Sequence, residues 1–215
     1  MMKLHDYELS GSCYKVRLLL SMLDLPYERL PLDFYPGREH RQPDFLDVNP
    51  LGQLPVLDDG ELRLRDAQAI LLYLAARYDR DGVWFPRDAA TQGRIAMWLA
   101  FAGGELMHSA SARLHDMLLG YEEIDAERAR RDAHAALRVL DEHLAECEFD
   151  GQPWLAASHP TIADIACFPY IMLSEEGGIS RRDYPAIRRW CDRVKRVKGF
   201  IVMSGVFPAG PARAA

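Results

Sequence analysis

The hydrophobic period of this chain changes character once, near residue 80, and that change limits what it can fold into. Up to about residue 80 the apolar spacing keeps switching between strand-like and helical; beyond about residue 88 it is helical almost throughout. Two domains are expected. Met2 to Tyr7 reads as a short strand, and Val16, Leu19, Leu20 and Leu23 mark one face of a helix that Pro26 ends. Tyr27 to Leu32 reads as a second strand and Pro43 to Val48 as a short helical stretch. Pro55-Val56-Leu57 and Glu61 to Leu64 read as a hairpin turning at Asp58-Asp59-Gly60. Ile70, Leu71, Leu74 and Tyr78 then define an amphipathic helix. The order βαβ, then ββα, predicts a small mixed sheet with helices packed on it.

Asp79 to Asp88 is polar and punctuated by Gly82 and Pro86, so it reads as a linker with a Trp84-Phe85 anchor. The division is residues 1–80, a linker at 81–88 and a helical remainder at 89–215. Clean apolar stripes follow at Ile95, Leu99, Ala102 and Leu106, and at Ala129, Ala133, Leu137, Leu140 and Leu144. Gly103 and Gly104 interrupt the first stripe at about 1 kcal/mol each, which predicts a bend or a close approach to a ligand or neighbouring helix. Thr161 and Asp164 form a capping-box variant, a folding signal with no catalytic role. The basic run from Arg181 to Lys198 interleaves Ile187, Trp190, Val194 and Val197 at helical spacing and reads as an amphipathic helix with a solvated basic face. The tail from Pro208 to Ala215 reads as frayed and without function.

The chain's 215 residues, 49% hydrophobic and 27% charged, are too apolar for disorder and suffice for a buried core. No apolar run approaches the roughly 18 residues of a membrane span, and the opening Met1-Met2-Lys3-Leu4-His5-Asp6 has no signal-peptide pattern, so a cytoplasmic protein is expected. The net charge of -6 is evenly spread, with 10 basic against 13 acidic residues up to residue 80 and 16 against 19 beyond, which argues against nucleic acid or membrane partners. Cys13, Cys147, Cys167 and Cys191 lie too far apart for a zinc cluster and read as free thiols, the last three as small buried hydrophobes. No metal is expected.

Chemistry concentrates at Ser10-Gly11-Ser12-Cys13, where the first strand gives way to the first helix. Free backbone N–H groups and the positive end of the helix favour an anion there, and a serine hydroxyl can donate to a bound thiolate. By spacing alone, Ser10 or Ser12 is first a helix cap. Ser10-x-x-Cys13 has the spacing of a redox pair whose attacking cysteine is serine, which disfavours dithiol exchange; Cys13 alone reads as packing. The run Asn49 to Leu57 places Pro55 at a strand start, where a cis Leu54-Pro55 bond would present the Leu54 backbone to a peptide.

In order and spacing these segments resemble a cytosolic glutathione S-transferase of the serine type, near the theta and zeta classes. The resemblance covers nearly the whole chain: the S-G-S-C-Y-K-V-R opening, N-P-L-G-Q-L-P-V-L, the helix start at Leu64 to Leu74, Trp98 to Phe101, the T-I-A-D box and Tyr184 to Ile187 with Trp190. It implies an α/β thioredoxin-like N-terminal domain plus an all-α helical-bundle C-terminal domain. Carried over residue by residue, Ser10 is the catalytic hydroxyl that donates to the sulfur of glutathione, the co-substrate. Ser12, His40, Gln53, Leu54, Pro55, Asp66 and Ala67 are its glutathione-binding companions, with His40 and Gln53 at the glycyl carboxylate and Leu54 at the cysteinyl backbone. Asp66-Ala67 departs from the family's acid followed by serine; the missing hydroxyl removes a hydrogen bond worth about 0.5–1.5 kcal/mol.

The electrophile would lie between the domains, near Met107, His108, Ser111 and Arg113. Met107 reads equally as helical core, and Arg113 as a domain-stabilising ion pair. The resemblance further implies a homodimer and a transferase that attacks a small electrophile. The competing readings are a non-catalytic binding or regulatory protein, or glutathione-dependent isomerisation, dehalogenation or peroxide reduction.

Overall fold

The computed structural model describes residues 1–117, 121 and 123–209. Four strands form one mixed sheet in the order β2-β1-β3-β4, from Met2–Asp6 (β1), Tyr27–Pro31 (β2), Val56–Asp59 (β3) and Leu62–Arg65 (β4). β1 runs parallel to β2, a pairing that needs a crossover, and helix α1 (Gly11–Met22) supplies it. β3 runs antiparallel to both β1 and β4. α2 (Pro43–Val48) precedes β3, and α3 (Ala67–Tyr78) follows β4 and packs beside α1.

Along β1 the alternation buries Met2, Leu4 and Asp6. A buried carboxylate requires partners, and Asp6 takes 2.7 Å hydrogen bonds from Arg17 of α1 and Arg29 of β2. This triad ties the first three elements together through charges that the hydrophobic pattern does not reveal.

The rest is helical: α4 (Ala89–Gly103), α5 (Met107–Asp116), α6 (Ala126–Phe149), α7 (Ile162–Met172) and α8 (Pro185–Val194). Every residue of α7 is buried, because α7 packs against α1 and α3 on one side and α4, α5 and α8 on the others. The capping box forms as expected: Thr161 and Asp164 satisfy each other's backbone. Asp164 also accepts from the Trp190 indole at 2.8 Å and the Leu155 N–H at 3.2 Å. Residues 79–88 contain no helix or strand; Trp84 is buried and its carbonyl accepts the N–H of Ile162, the first residue of α7.

Two expectations change. Cys147 is half-buried, its thiol beside His143, while Cys13, Cys167 and Cys191 are buried. The basic helix stops at Val194, and its polar face is partly paired: Arg189 and Arg193 close on Glu148 of α6. Of the two alternatives for Gly103 and Gly104, the close approach to a neighbouring helix is the one present: they end α4 without bending it, and a Cβ on Gly103 would lie 2.6 Å from the Gln68 amide of α3. Residues 210–215, most of the tail expected to fray, lie outside the described residues. Among the described residues no helix is long and apolar enough to cross a membrane.

Candidate functional site

A cleft of about 420 Å³ opens where α1, the loop before β3 and the start of α3 face α5 and α7. Its lower wall is made of Ser10, Ser12, Gln53, Leu54, Pro55, Asp66 and Ala67. These residues are far apart in sequence, and the sheet gathers them because β1 and β3 are neighbours and both lead to its same end.

Ser10 is the N-cap of α1: its backbone is extended and its Oγ accepts the Cys13 N–H at 3.2 Å. Capping and chemistry are compatible here, since the hydroxyl proton is not used by the cap. A Cβ on Gly11 would sit 2.8 Å from the Tyr170 ring, so only glycine allows α7 to come this close. The Ser12 hydroxyl hydrogen-bonds the Tyr170 hydroxyl at 2.9 Å. Cys13 is fully buried, and burial together with nearby Asp6 pushes its thiol up to about 12. It stays protonated and is packing, as its position predicts.

Asp66 caps α3 from a left-handed backbone (φ 73°), accepting the N–H groups of Gln68 and Ala69 through one oxygen. The Ala67 N–H at this helix start has no partner among the described residues, nor do the backbone groups of Leu54. The Leu54-Pro55 bond is cis. An extended peptide with a charged amine and a carboxylate at one end would find donors and acceptors along this wall.

The opposite wall comes from α5 and α7. Met107, Ala110 and Leu114 face the cleft at spacings of three and four, with Arg113 at their edge. Arg113 is buried and makes an ion pair, its Nε at 2.5 Å from Glu176, while Nη1 donates to the Leu9 carbonyl at 2.8 Å, beside Ser10.

Three expected residues are not on the cleft wall. His108 lies about 100° round the helix from Met107, off the stripe through Met107, Ala110 and Leu114; Ser111, one turn after Met107, does not line the cleft, and its hydroxyl donates back to the Met107 carbonyl. His40 is buried behind Phe34, ring centroids 4.0 Å apart, and burial with Arg41 and Arg38 nearby lowers its pKa. Arg41, its neighbour, lines the cleft instead.

Tyr7, Phe34, Gln68 and Tyr170 also line the cleft and carried no sequence signal of it. Tyr170 lies inside an apolar helix, where an aromatic residue reads as core. Burial raises the pKa of Tyr7 and of Tyr170, so both phenols remain donors. Among the described residues no group of three or more His, Cys, Asp or Glu gathers to hold a metal.

Residues 4–82 match the family model of the glutathione S-transferase N-terminal domain, and residues 123–193 that of the C-terminal domain. Glutathione S-transferase 2 of Anopheles gambiae is 32% identical over 187 residues, spanning 86% of this chain and 86% of that protein. Maleylacetoacetate isomerase of Pseudomonas aeruginosa is 29% identical over 197 residues, 89% of this chain and 90% of that one. The crystal structure of a possible glutathione S-transferase from Rhodopseudomonas palustris superposes with a TM-score of 0.81 at 33% identity, covering 94% of this chain and 97% of that chain. With both halves matched in order and nearly the full length covered, the chain belongs to the glutathione S-transferase family.

Proposed function

We propose that this protein is a glutathione transferase that binds glutathione along the lower wall of the cleft and activates its thiol for attack on a small electrophile. The observation that carries the reading is Ser10: its hydroxyl caps α1 on the cleft wall, next to unpartnered backbone groups at Leu54 and Ala67. A thiolate there is favoured by the helix's positive end and by the Ser10 hydroxyl, so more of the nucleophile is ionised at neutral pH. In this reading the cysteinyl backbone lies on Leu54 beside Pro55, and the γ-glutamyl end on Asp66 and Ala67. The glycyl carboxylate lies near Gln53, where Arg41 takes the place first given to His40. Met107 and Arg113 face the electrophile across the cleft.

The reading also holds that the protein is a cytoplasmic homodimer acting in detoxification, with no nucleic acid or membrane partner. Exposed Leu72 on α3 and Met97 on α4 are apolar surface that a second copy would cover. The test is an electrophile screen with glutathione, read by thiol loss and product mass. Turnover that falls sharply in Ser10→Ala at saturating glutathione supports the reading; unchanged turnover sinks the role of Ser10. A second reading, a binding protein without the chemistry, is favoured by Ala67, which lacks the family's hydroxyl. Calorimetry decides it: no heat and no thermal shift with millimolar glutathione would count against a transferase.

A further inference from the structure

The cleft wall carries a second hydroxyl that thiol activation leaves unused. Ser12 lies at the second position of α1, on the cleft, with its Oγ 2.9 Å from the Tyr170 hydroxyl. Tyr170 is held at three points, two on the ring and one on the backbone. Gly11 leaves no room for a Cβ beneath it, the Lys15 ammonium sits 4.7 Å from its centroid, and Ser109 donates to its backbone carbonyl at 2.7 Å. Among the described residues the fully buried Lys15 ammonium has no hydrogen-bond partner, and it lies over this ring. Either hydroxyl can donate in this pair, and a phenol is a stronger donor than an aliphatic hydroxyl. With the phenol as donor, Ser12 accepts from it and keeps its own proton to give to the cleft.

Resting on the transferase reading, we propose that Ser12, polarised by Tyr170, is an oxyanion donor for the electrophile, and that the preferred substrates are α,β-unsaturated carbonyl compounds. Ser10 serves the sulfur; a second donor is useful only where another atom gains charge during the reaction. In addition to an enone, the thiolate forms a carbon–sulfur bond at the β-carbon. The π pair of the double bond moves to give an enolate, and its oxygen takes the negative charge. The Ser12 hydroxyl hydrogen-bonds that oxygen as the charge develops. The proton released from the thiol to solvent is matched by one taken from solvent at the α-carbon, so the net reaction is addition of glutathione with no oxidant or reductant. A displacement at an alkyl halide sends the charge out with the halide and gains nothing from Ser12. Phe34, Met107 and Leu114 give the reacting carbons an apolar surround in which a single donor has large effect. Tyr170 acts through Ser12 and is a positioning residue.

The test compares turnover of benzylideneacetone, an enone, with that of benzyl chloride at saturating glutathione. Both carry one phenyl ring and differ in where the charge goes. Tyr170→Phe keeps the ring between Gly11 and Lys15 and removes only the hydroxyl. It should lower the enone-to-chloride ratio of kcat about tenfold, with the KM for glutathione unmoved. Ser12→Ala should lower the ratio by at least as much, and adding Tyr170→Phe to it should lower it no further. A ratio that stays put in Ser12→Ala overturns the proposal even if Tyr170→Phe is poorly folded. Turnover of benzyl chloride but not of benzylideneacetone by the unaltered protein overturns it while leaving the transferase reading intact. Turnover of neither, with no binding of glutathione, removes both.

Discussion

Among the described residues, two helices begin on a hydroxyl cap, and they have opposite surroundings. At α1 the cap is Ser10, half-exposed on the cleft, with no charged side chain of the described residues bonded to its hydroxyl. At α7 the cap is Thr161, fully buried, and Asp164 already occupies the positive helix end. Local chemistry is the same at both, a side-chain oxygen accepting an N–H of the first turn. One start is closed by its own anion and by Trp190, and the other is left for an anion from outside. A cap becomes a site when tertiary packing leaves it unsealed.

The strongest way to break this comparison is to unseal α7. Asp164→Ala should cost about 3–5 kcal/mol in chemical unfolding, because the Trp190, Leu155 and Thr161 N–H groups lose their acceptor in the core. A loss under about 1 kcal/mol would mean Asp164 is no more than a local cap. Ser10→Ala should lower turnover about 100-fold while costing only about 1 kcal/mol of stability, the second figure being its capping role. Equal effects on both measurements would erase the distinction between the two starts.

Lys15→Met should stabilise the protein by about 1–3 kcal/mol near neutral pH, since it removes a buried ammonium that has no hydrogen-bond partner among the described residues. Burial lowers the Lys15 pKa from 10.5 to about 8, against the opposing pull of Cys167 and Asp66. Between those values the unfolded chain binds the extra proton, so the native protein gains stability as pH rises through this window. The advantage of Lys15→Met is therefore full below about pH 8 and shrinks towards pH 10.5, which paired urea melts across that range would show. An advantage that grows with pH would overturn the sign. The smallest effect belongs to Thr161→Ala, about 1 kcal/mol of stability with turnover unchanged.

Both helix starts were legible in the sequence as caps, since the pattern of hydroxyl, spacing and following apolar run is local. The strands of the sheet and the helices of the remainder were legible for the same reason, each carrying its own period. His40, His108 and Ser111 show where local reading stops. His108 is next to Met107 in sequence, but the rotation of α5 turns it off the wall, and the Ser111 hydroxyl is spent on the Met107 carbonyl. His40 occupies a position with a binding role in the resemblance, and the packing of Phe34 over it leaves Arg41 on the cleft instead. Tyr170 was invisible because an aromatic in an apolar helix has the same pattern whether it meets core or cleft.

The sequence by itself determined the elements, the order of two dissimilar halves and the hydroxyl at the first helix start, because propensity, capping and hydrophobic period act over a few residues. Only the tertiary structure decided which hydroxyls face the cleft, that Asp6 joins Arg17 and Arg29, and that Lys15 lies over Tyr170. Those contacts join residues as far apart as Ser12 and Tyr170, separated by 158 positions. Their energies depend on distance, burial and dielectric, quantities a linear pattern does not contain.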